Sequence, residues 1–519
     1  MLLFQVSTPY ILTMSTTTIK SAIPYGFTSQ EITVEGDTNQ GLPSFTITGL
    51  PSRTIEESRE RIRSAIRNSG FIFPRRKIII NLAPASIAKT GASLDLPIAL
   101  SILTLSEQLL TSDTTNRMFA GELALDGQIR PVRGIISIIE CAIRKKYKEI
   151  IIPAESAAQA SLIANKIRII PVHNLRELWL YFKQKQPILP LKTVVKNTET
   201  DKHEQYVLDQ IVGQAQAKRA LIIAVAGRHN LLLSGPPGTG KTMLARTIPS
   251  LLPSLSPDEQ IAITKLHSLV TNNCHIITER PFRTPHHSAT RASIIGGGTQ
   301  LLPGEISLAS GGVLYLDELP EFDRQTLESI RQPLEEHKIT LTRLRDSVAY
   351  PANFMLIATM NPCPCGYFGS DQKTCSCTPT QLQNYQKKLS GPLFDRIDMN
   401  VEMKQQSNSV LLKNTTLSTH EHASAKHQIE HALNTQFKRY HQKSKYNAYL
   451  TSPEVKQYLS LTSAAEQTLN LASERLGLSS RAYFRIIKVA QTIVDLDSPL
   501  GTPIDAKHIA EALRFRQNR

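Results

Sequence analysis

The strongest constraint on this 519-residue chain is eight residues long. Gly235-Pro236-Pro237-Gly238-Thr239-Gly240-Lys241-Thr242 fits the pattern G-x-x-x-x-G-K-T. An apolar run, Asn230-Leu231-Leu232-Leu233-Ser234, precedes it, and a helix-forming run, Met243-Leu244-Ala245-Arg246, follows. Strand, glycine-rich loop and helix start in that order make a phosphate cradle. The glycines let backbone N–H groups converge on phosphate oxygens, and the helix N-terminus adds a favourable field. Lys241 is expected to reach the β- and γ-phosphates of a nucleotide, and the Thr242 hydroxyl to ligate Mg²⁺.

Three further segments carry polar residues at the ends of apolar runs. Gly312-Val313-Leu314-Tyr315-Leu316 ends in Asp317-Glu318. Two carboxylates closing a buried strand need a reason, because burying charge is costly. Asp317 is expected to hold the Mg²⁺ through water, and Glu318 to orient and deprotonate an attacking water. Phe354-Met355-Leu356-Ile357-Ala358-Thr359 runs into Met360-Asn361. A polar residue there can touch the γ-phosphate or its water from the carboxyl edge of the sheet. Leu393-Phe394-Asp395-Arg396-Ile397-Asp398 offers an arginine in an apolar frame, and Arg481 begins a late helix.

Composition narrows the class. Apolar residues make up 41% and charged residues 20%, which fits globular cores rather than a disordered chain. Lys plus Arg number 59 against 44 Asp plus Glu, a net +15 that favours a polyanionic partner such as nucleic acid. A single Trp argues against a carbohydrate-binding surface. No apolar run reaches the roughly 18–20 residues that cross a bilayer, so no membrane is expected and the setting reads as cytoplasmic. Six cysteines are too few for a disulfide scaffold of this length. Four of them form two C-x-C pairs, Cys363/Cys365 and Cys375/Cys377, which can complete a closed tetrahedral Zn²⁺ site of structural type.

The chain divides on composition into a 1–14 tail, an α/β domain at 15–185, a polar linker at 186–206, an α/β core at 207–402 and a helical region at 403–519. Met1 and Met14 are both candidate starts. Ile78-Ile79-Ile80-Asn81-Leu82 and Glu149-Ile150-Ile151-Ile152-Pro153 read as strands. Residues 54–68, 463–477 and 481–496 carry apolar positions at helical spacing.

The order of phosphate loop, Asp-Glu strand, strand-end Asn, arginine in a Phe-Asp-Arg-Ile-Asp frame and late helical arginine resembles an AAA+ ATPase. The wording between the first two, Arg283-Thr284-Pro285-His286-His287-Ser288-Ala289-Thr290-Arg291 with Gly296-Gly297-Gly298 and Pro303-Gly304-Glu305, is similar to the magnesium-chelatase-like branch. With Gly41-Leu42-Pro43-Ser44-Phe45 and Glu57-Ser58-Arg59-Glu60-Arg61 included, the chain from Met14 onward resembles the YifB/ComM competence proteins. The resemblance implies a Lon-protease-like N-terminal domain, an AAA+ P-loop core with a parallel sheet and a helical C-terminal lid. It implies ATP and Mg²⁺, with Asn361 as sensor 1, Arg396 as arginine finger and Arg481 as sensor 2. It further implies a homo-hexamer that drives branch migration on single-stranded, forked or branched DNA during natural transformation.

The same branch carries two inserts, placed here near 283–305 and 336–352. Arg283, Arg291, Lys338, Arg343 and Arg345 are the DNA-facing candidates they supply. Adjacent His286 and His287 are expected to point apart, as neighbours on a strand or helix do. In a Lon-type domain Ser93 would occupy the nucleophile position, but the partner lysine position falls at Ile136. A serine without a base is a weak nucleophile, and Arg133 does not deprotonate, so the domain reads as proteolytically inactive. Two alternatives remain open at this point: a metal-insertion ATPase subunit of the magnesium-chelatase type, and a regulator that uses ATP as an assembly switch.

Overall fold

A computed structural model describes residues 16–193, 206–298, 300–343, 346–369, 373–388, 391–406, 420–442 and 445–516. The tail at 1–14, most of the expected linker (194–205) and Arg345 lie outside the described residues. The chain forms two compact units.

The first unit holds the residues up to 193 together with Pro257–Ile277. Its mixed seven-stranded sheet runs, in spatial order, Ser44–Thr48, Lys77–Ala83, Thr28–Asn39, Thr16–Tyr25, Arg117–Phe119, Glu149–Pro153 and Arg168–Val172. The two long strands Thr16–Tyr25 and Thr28–Asn39 form an antiparallel hairpin, and the last four strands pair in parallel. The amphipathic stretch at 54–68 forms the helix Arg53–Asn68, burying Ile55, Ile62, Ala65 and Ile66 at helical spacing. Gly70 ends it in the left-handed region at φ 82, where glycine carries no Cβ penalty.

Residues 257–277 fall within the span expected for the core, 207–402, yet they pack with this first unit. Lys265 of the helix Pro257–Ser268 pairs with Glu140 at 2.5 Å, and the N–H of Gly134 donates to the Ser268 carbonyl at 2.9 Å. Gly134 sits at φ 67, and a Cβ there would meet Pro24 at 2.6 Å and Leu269 at 2.9 Å. Long-range packing of this kind leaves no compositional trace at 256 or 278.

The second unit is built on a five-stranded, all-parallel sheet in the order Phe282–Arg283, Val313–Leu316, Met355–Met360, Leu231–Ser234, Met399–Glu402. Its central strands are buried up to Met360 at the end of one, as parallel strands covered on both faces must be. Helices follow from 421 onward, including Glu421–Tyr440, Ser463–Leu476 and Ser480–Asp497. The last two match the periodic stretches at 463–477 and 481–496. Between sheet strands the chain inserts an antiparallel hairpin, Lys338–Arg343 with Asp346–Pro351.

Candidate functional site

The phosphate loop leaves the carboxyl end of Leu231–Ser234 and feeds the helix Lys241–Arg246. Three of its glycines need left-handed or extended-positive backbone: Gly235, Gly238 and Gly240 lie at φ 156, 78 and 87. A Cβ at Gly235 would come within 2.3 Å of the Met403 carbonyl, whereas the space around Gly238 and Gly240 is open. The loop is therefore pinned on one side and clear where phosphates would lie.

Lys241 points back across this loop. Its ammonium donates to the carbonyls of Gly235 (2.6 Å) and Pro236 (2.9 Å) and to Asn361 Oδ1 (3.1 Å). Burial lowers it to about 8, against the opposing pull of Asp317 and Glu318. The Thr242 hydroxyl faces Asp317 Oδ2 at 3.4 Å. Asp317 also accepts from the hydroxyls of Tyr315, at 2.8 Å, and Thr359. Thr359 in turn accepts from the Glu318 N–H at 3.0 Å, and Glu318 stands exposed at φ 53. Three adjacent parallel strands thus bring Lys241, Thr242, Asp317, Glu318 and Asn361 to one edge. Hydroxyl and carboxylate oxygens at that spacing suit Mg²⁺, a hard cation.

Two cavities flank the loop. One of about 640 Å³ is lined by Glu318, Asn361, His287, Glu321, Tyr385 and Lys388. The other, about 230 Å³, is lined by Gly238 and Gly240 of the loop, by Ile211, Val212 and Met243, and by four glutamines. Three apolar side chains with amide groups around them, beside the cradle, fit a nucleobase. Sequence reasoning missed it; the signals were the apolar pair Ile211-Val212 before Gly213 and the exposed Met243 inside a motif helix.

The four cysteines gather as their spacing implies. All four Sγ atoms lie within 4.8 Å of one another, with Cys363–Cys365 at 3.3 Å, Cys365–Cys375 at 3.5 Å and Cys363–Cys375 at 3.7 Å. A zinc tetrathiolate has S–S edges of about 3.8 Å, so the donor set fits. Among the described residues no other group of three or more His, Cys, Asp or Glu side chains gathers so closely. The knuckle also abuts the phosphate loop. Gly366, at φ 86, lies so near Pro237 that a Cβ would meet its ring at 2.7 Å.

Arg396 and Arg481 lie elsewhere. Asn230, at the opposite end of the loop strand, receives the N–H groups of Asp398 and Met399 on its carbonyl and donates its amide to the Arg396 carbonyl at 3.1 Å. Four strand residues, roughly 13 Å, separate that edge from the phosphate loop. There a cavity of about 440 Å³ gathers Arg228, Arg396, Arg481, Arg485 and Lys488, with Glu335 and Asp398 as its carboxylates. Arg396 and Arg481 both pair with Glu335, at 2.9 and 2.6 Å. Burial would raise the Asp398 carboxyl; His229, Arg485 and the Asn230 N–H hold it down to about 2.

The DNA-facing candidates separate as well. Arg283 is fixed in a fork with Glu305, at 2.6 and 2.7 Å, which leaves its guanidinium committed within the sheet-edge region. Arg291, Lys338 and Arg343 are exposed. His286 and His287 do not point apart: they lie in a turn, and their ring centroids are 4.1 Å from each other. In the first unit Ser93 and Ile136 are buried, and the buried Lys89 donates its ammonium to the carbonyls of Gly49, at 2.8 Å, and Pro84.

The chain has relatives along nearly its full length. It is 41% identical over 507 residues to the uncharacterized protein YifB of Escherichia coli, covering 97% of each. It is 41% identical over 510 residues to competence protein ComM of Haemophilus influenzae, covering 97% of this chain and 98% of that one. The chain belongs to the YifB/ComM family. Its members reach further, with an uncharacterized protein of Mycobacterium tuberculosis 35% identical over 508 residues. Family models for magnesium chelatase subunit ChlI match residues 207–411 and 34–156, and one for the C-terminal part of that subunit matches 419–516. A 160-residue stretch is 28% identical to a Lon protease of Azorhizobium caulinodans. The chain is thus a magnesium-chelatase-like AAA+ protein with an N-terminal α/β unit ahead of its P-loop core.

Proposed function

We propose that the chain is an ATP-hydrolysing ring motor, a homo-hexamer that migrates branches in DNA, working in the uptake and integration of DNA as the name of its Haemophilus relative implies. The observation that carries this reading is the split of the machinery. Lys241, Thr242, Asp317, Glu318 and Asn361 converge at one edge of the sheet, whereas Arg396 and Arg481 gather at the other. An arginine that far from its own phosphate loop is placed to serve a neighbour's nucleotide in a head-to-tail assembly, which a ring closes.

Within one site, Lys241 neutralises the β- and γ-phosphates and Asn361 positions the γ-phosphate side of the loop. Glu318, exposed at the end of its strand, takes the proton of the attacking water. A Mg²⁺ held by Thr242 and Asp317 would supply charge neutralisation on the phosphates. Arg396 and Arg481 of the adjoining chain add positive charge as charge builds on the departing phosphate. Cys363, Cys365, Cys375 and Cys377 would hold a structural zinc beside the loop, with no open coordination position. Arg291, Lys338 and Arg343 are the phosphate contacts of a sequence-tolerant DNA surface, and Arg345 joins them on sequence grounds. The Lon-like unit is not a protease, because Ile136 supplies no base for Ser93. A motor acting on incoming DNA works in the cytoplasm. No helix among the described residues is long and apolar enough to cross a membrane.

The test is ATP hydrolysis by the purified protein with and without forked or four-way DNA, beside Lys241→Ala. Stimulation by DNA in the wild type alone, followed by strand exchange on a labelled junction, is the expected result. Turnover indifferent to every DNA in a sample verified to form rings sinks the motor and leaves the metal-insertion reading, which the magnesium-chelatase match favours.

A further inference from the structure

We propose that Glu335 is a latch that holds Arg396 and Arg481 away from the neighbouring subunit's triphosphate and lets go when DNA engages the adjoining hairpin. The inference rests on the reading of those arginines as interface residues.

The two carboxylate oxygens of Glu335 are divided between them. Oε2 accepts from Arg396 Nη2 at 2.9 Å and Oε1 from Arg481 Nη2 at 2.6 Å. A terminal phosphoryl group would offer guanidinium donors the same thing, anionic oxygens a short span apart, so Glu335 stands in for it. The pose is not a working one for Arg396. Its side chain is only 9% exposed and also donates to the Pro392 carbonyl at 2.6 Å, so it cannot reach a nucleotide on another chain. It is also incompletely satisfied, because its Nε is buried without an acceptor. Five cations face two carboxylates around this cavity, so the site is short of negative charge until a further anion arrives.

The position of Glu335 in the chain supplies the trigger. It is the penultimate residue of the helix Arg324–Glu336. The chain turns at His337, φ 53, and enters the hairpin strand at Lys338. His337 packs its ring on Tyr449 at 4.8 Å, which gives the turn a fixed pivot. Displacement of the hairpin by a bound strand therefore reaches Glu335 through two residues of backbone. With its side chain 35% exposed, the carboxylate holds its partners by ion pairs that solvent weakens, as a releasable contact requires. Glu335 is thus a positioning residue: it touches neither the nucleotide nor the reacting atoms.

The experiment measures ATP turnover of Glu335→Gln with and without forked DNA, next to a mixing assay. Gln keeps the shape and removes the charge. The expected result is basal turnover raised about fivefold or more and a ratio of DNA-stimulated to basal rate falling toward one. A merely structural role would lower both rates by one factor and leave the ratio unchanged; that outcome, or no change at all, overturns the latch. The mixing assay combines Lys241→Ala with Arg396→Ala subunits. If the arginine acts on its neighbour, each mixed interface with an intact loop on one side and an intact arginine on the other regains turnover. No recovery overturns the interface assignment and the latch with it. Recovery beside an unresponsive Glu335→Gln removes the latch alone.

Discussion

At Lys241 the cost of burying a cation and its use coincide. The ammonium is drawn down to about 8 by desolvation, although two carboxylates oppose this. Phosphate binding needs the charged form, so the free protein is fully competent below about 8 and loses competence as pH rises through it. With the bound lysine held charged, affinity for a non-hydrolysable ATP analogue should fall about tenfold between pH 7 and pH 9. Titration calorimetry at the two values checks this; equal affinities would mean that the lysine is not the titrating contact. Lys241→Ala should remove binding at both. The residues of this site were legible because each belongs to a short run whose polar end betrays it: G-K-T, Leu-Asp-Glu, Met-Asn. Glu335 was not. It sits among ordinary helical charges, and its meaning comes from two arginines far along the chain.

Elements bring separate motifs into contact. The cysteine knuckle and the phosphate loop were readable singly, but their meeting at Gly366 and Pro237 depends on how the strand Met355–Met360 hands over to the loop beyond it. Gly366→Ala would add a Cβ at a φ of 86 and 2.7 Å from the proline ring. The backbone term alone is about 1 kcal/mol, so nucleotide affinity should drop roughly fivefold or more with metal content unchanged. Cys363→Ser should lose the metal itself: elemental analysis should find one zinc per wild-type chain and none in the variant. In the helical region Asp495 is fully buried and pairs with Arg439, with Asn447 and Gln491 donating at 2.9 Å each. Arg439→Ala strands that carboxylate and should destabilise the region by about 3–5 kcal/mol, read from chemical denaturation. The strands and helices named from sequence were those with strong period or buried β-branched runs. The placement of 257–277 in the first unit escaped, because it rests on Lys265–Glu140 and on the fit of Leu269 beside Gly134, neither of which alters the local pattern.

The whole molecule carries +15, and that surplus bears on how it holds DNA. A bare excess of cations gives loose, diffuse attraction that salt screens over about 10 Å. A motor needs more, namely discrete phosphate contacts on an element that moves. The hairpin Lys338–Arg343 with Asp346–Pro351 supplies the element, with Lys338 and Arg343 exposed on one strand while Ile339, Leu341, Val348 and Tyr350 are buried beneath. The buried side makes the hairpin stiff, so force applied at its exposed residues travels to its base rather than being dissipated in bending. Arg283 differs from these in being engaged by Glu305 in a fork. Lys338→Ala should therefore weaken DNA binding on every sequence tested. It should also shallow the slope of log affinity against log salt by roughly 0.7–0.9 for each DNA phosphate the variant leaves unneutralised, whereas Arg283→Ala should keep the wild-type slope. Fluorescence anisotropy on a labelled single strand across a salt series separates the two. A slope that falls equally in both variants would mean that overall charge, rather than the hairpin, grips the strand, and the hairpin would forfeit its place in the motor.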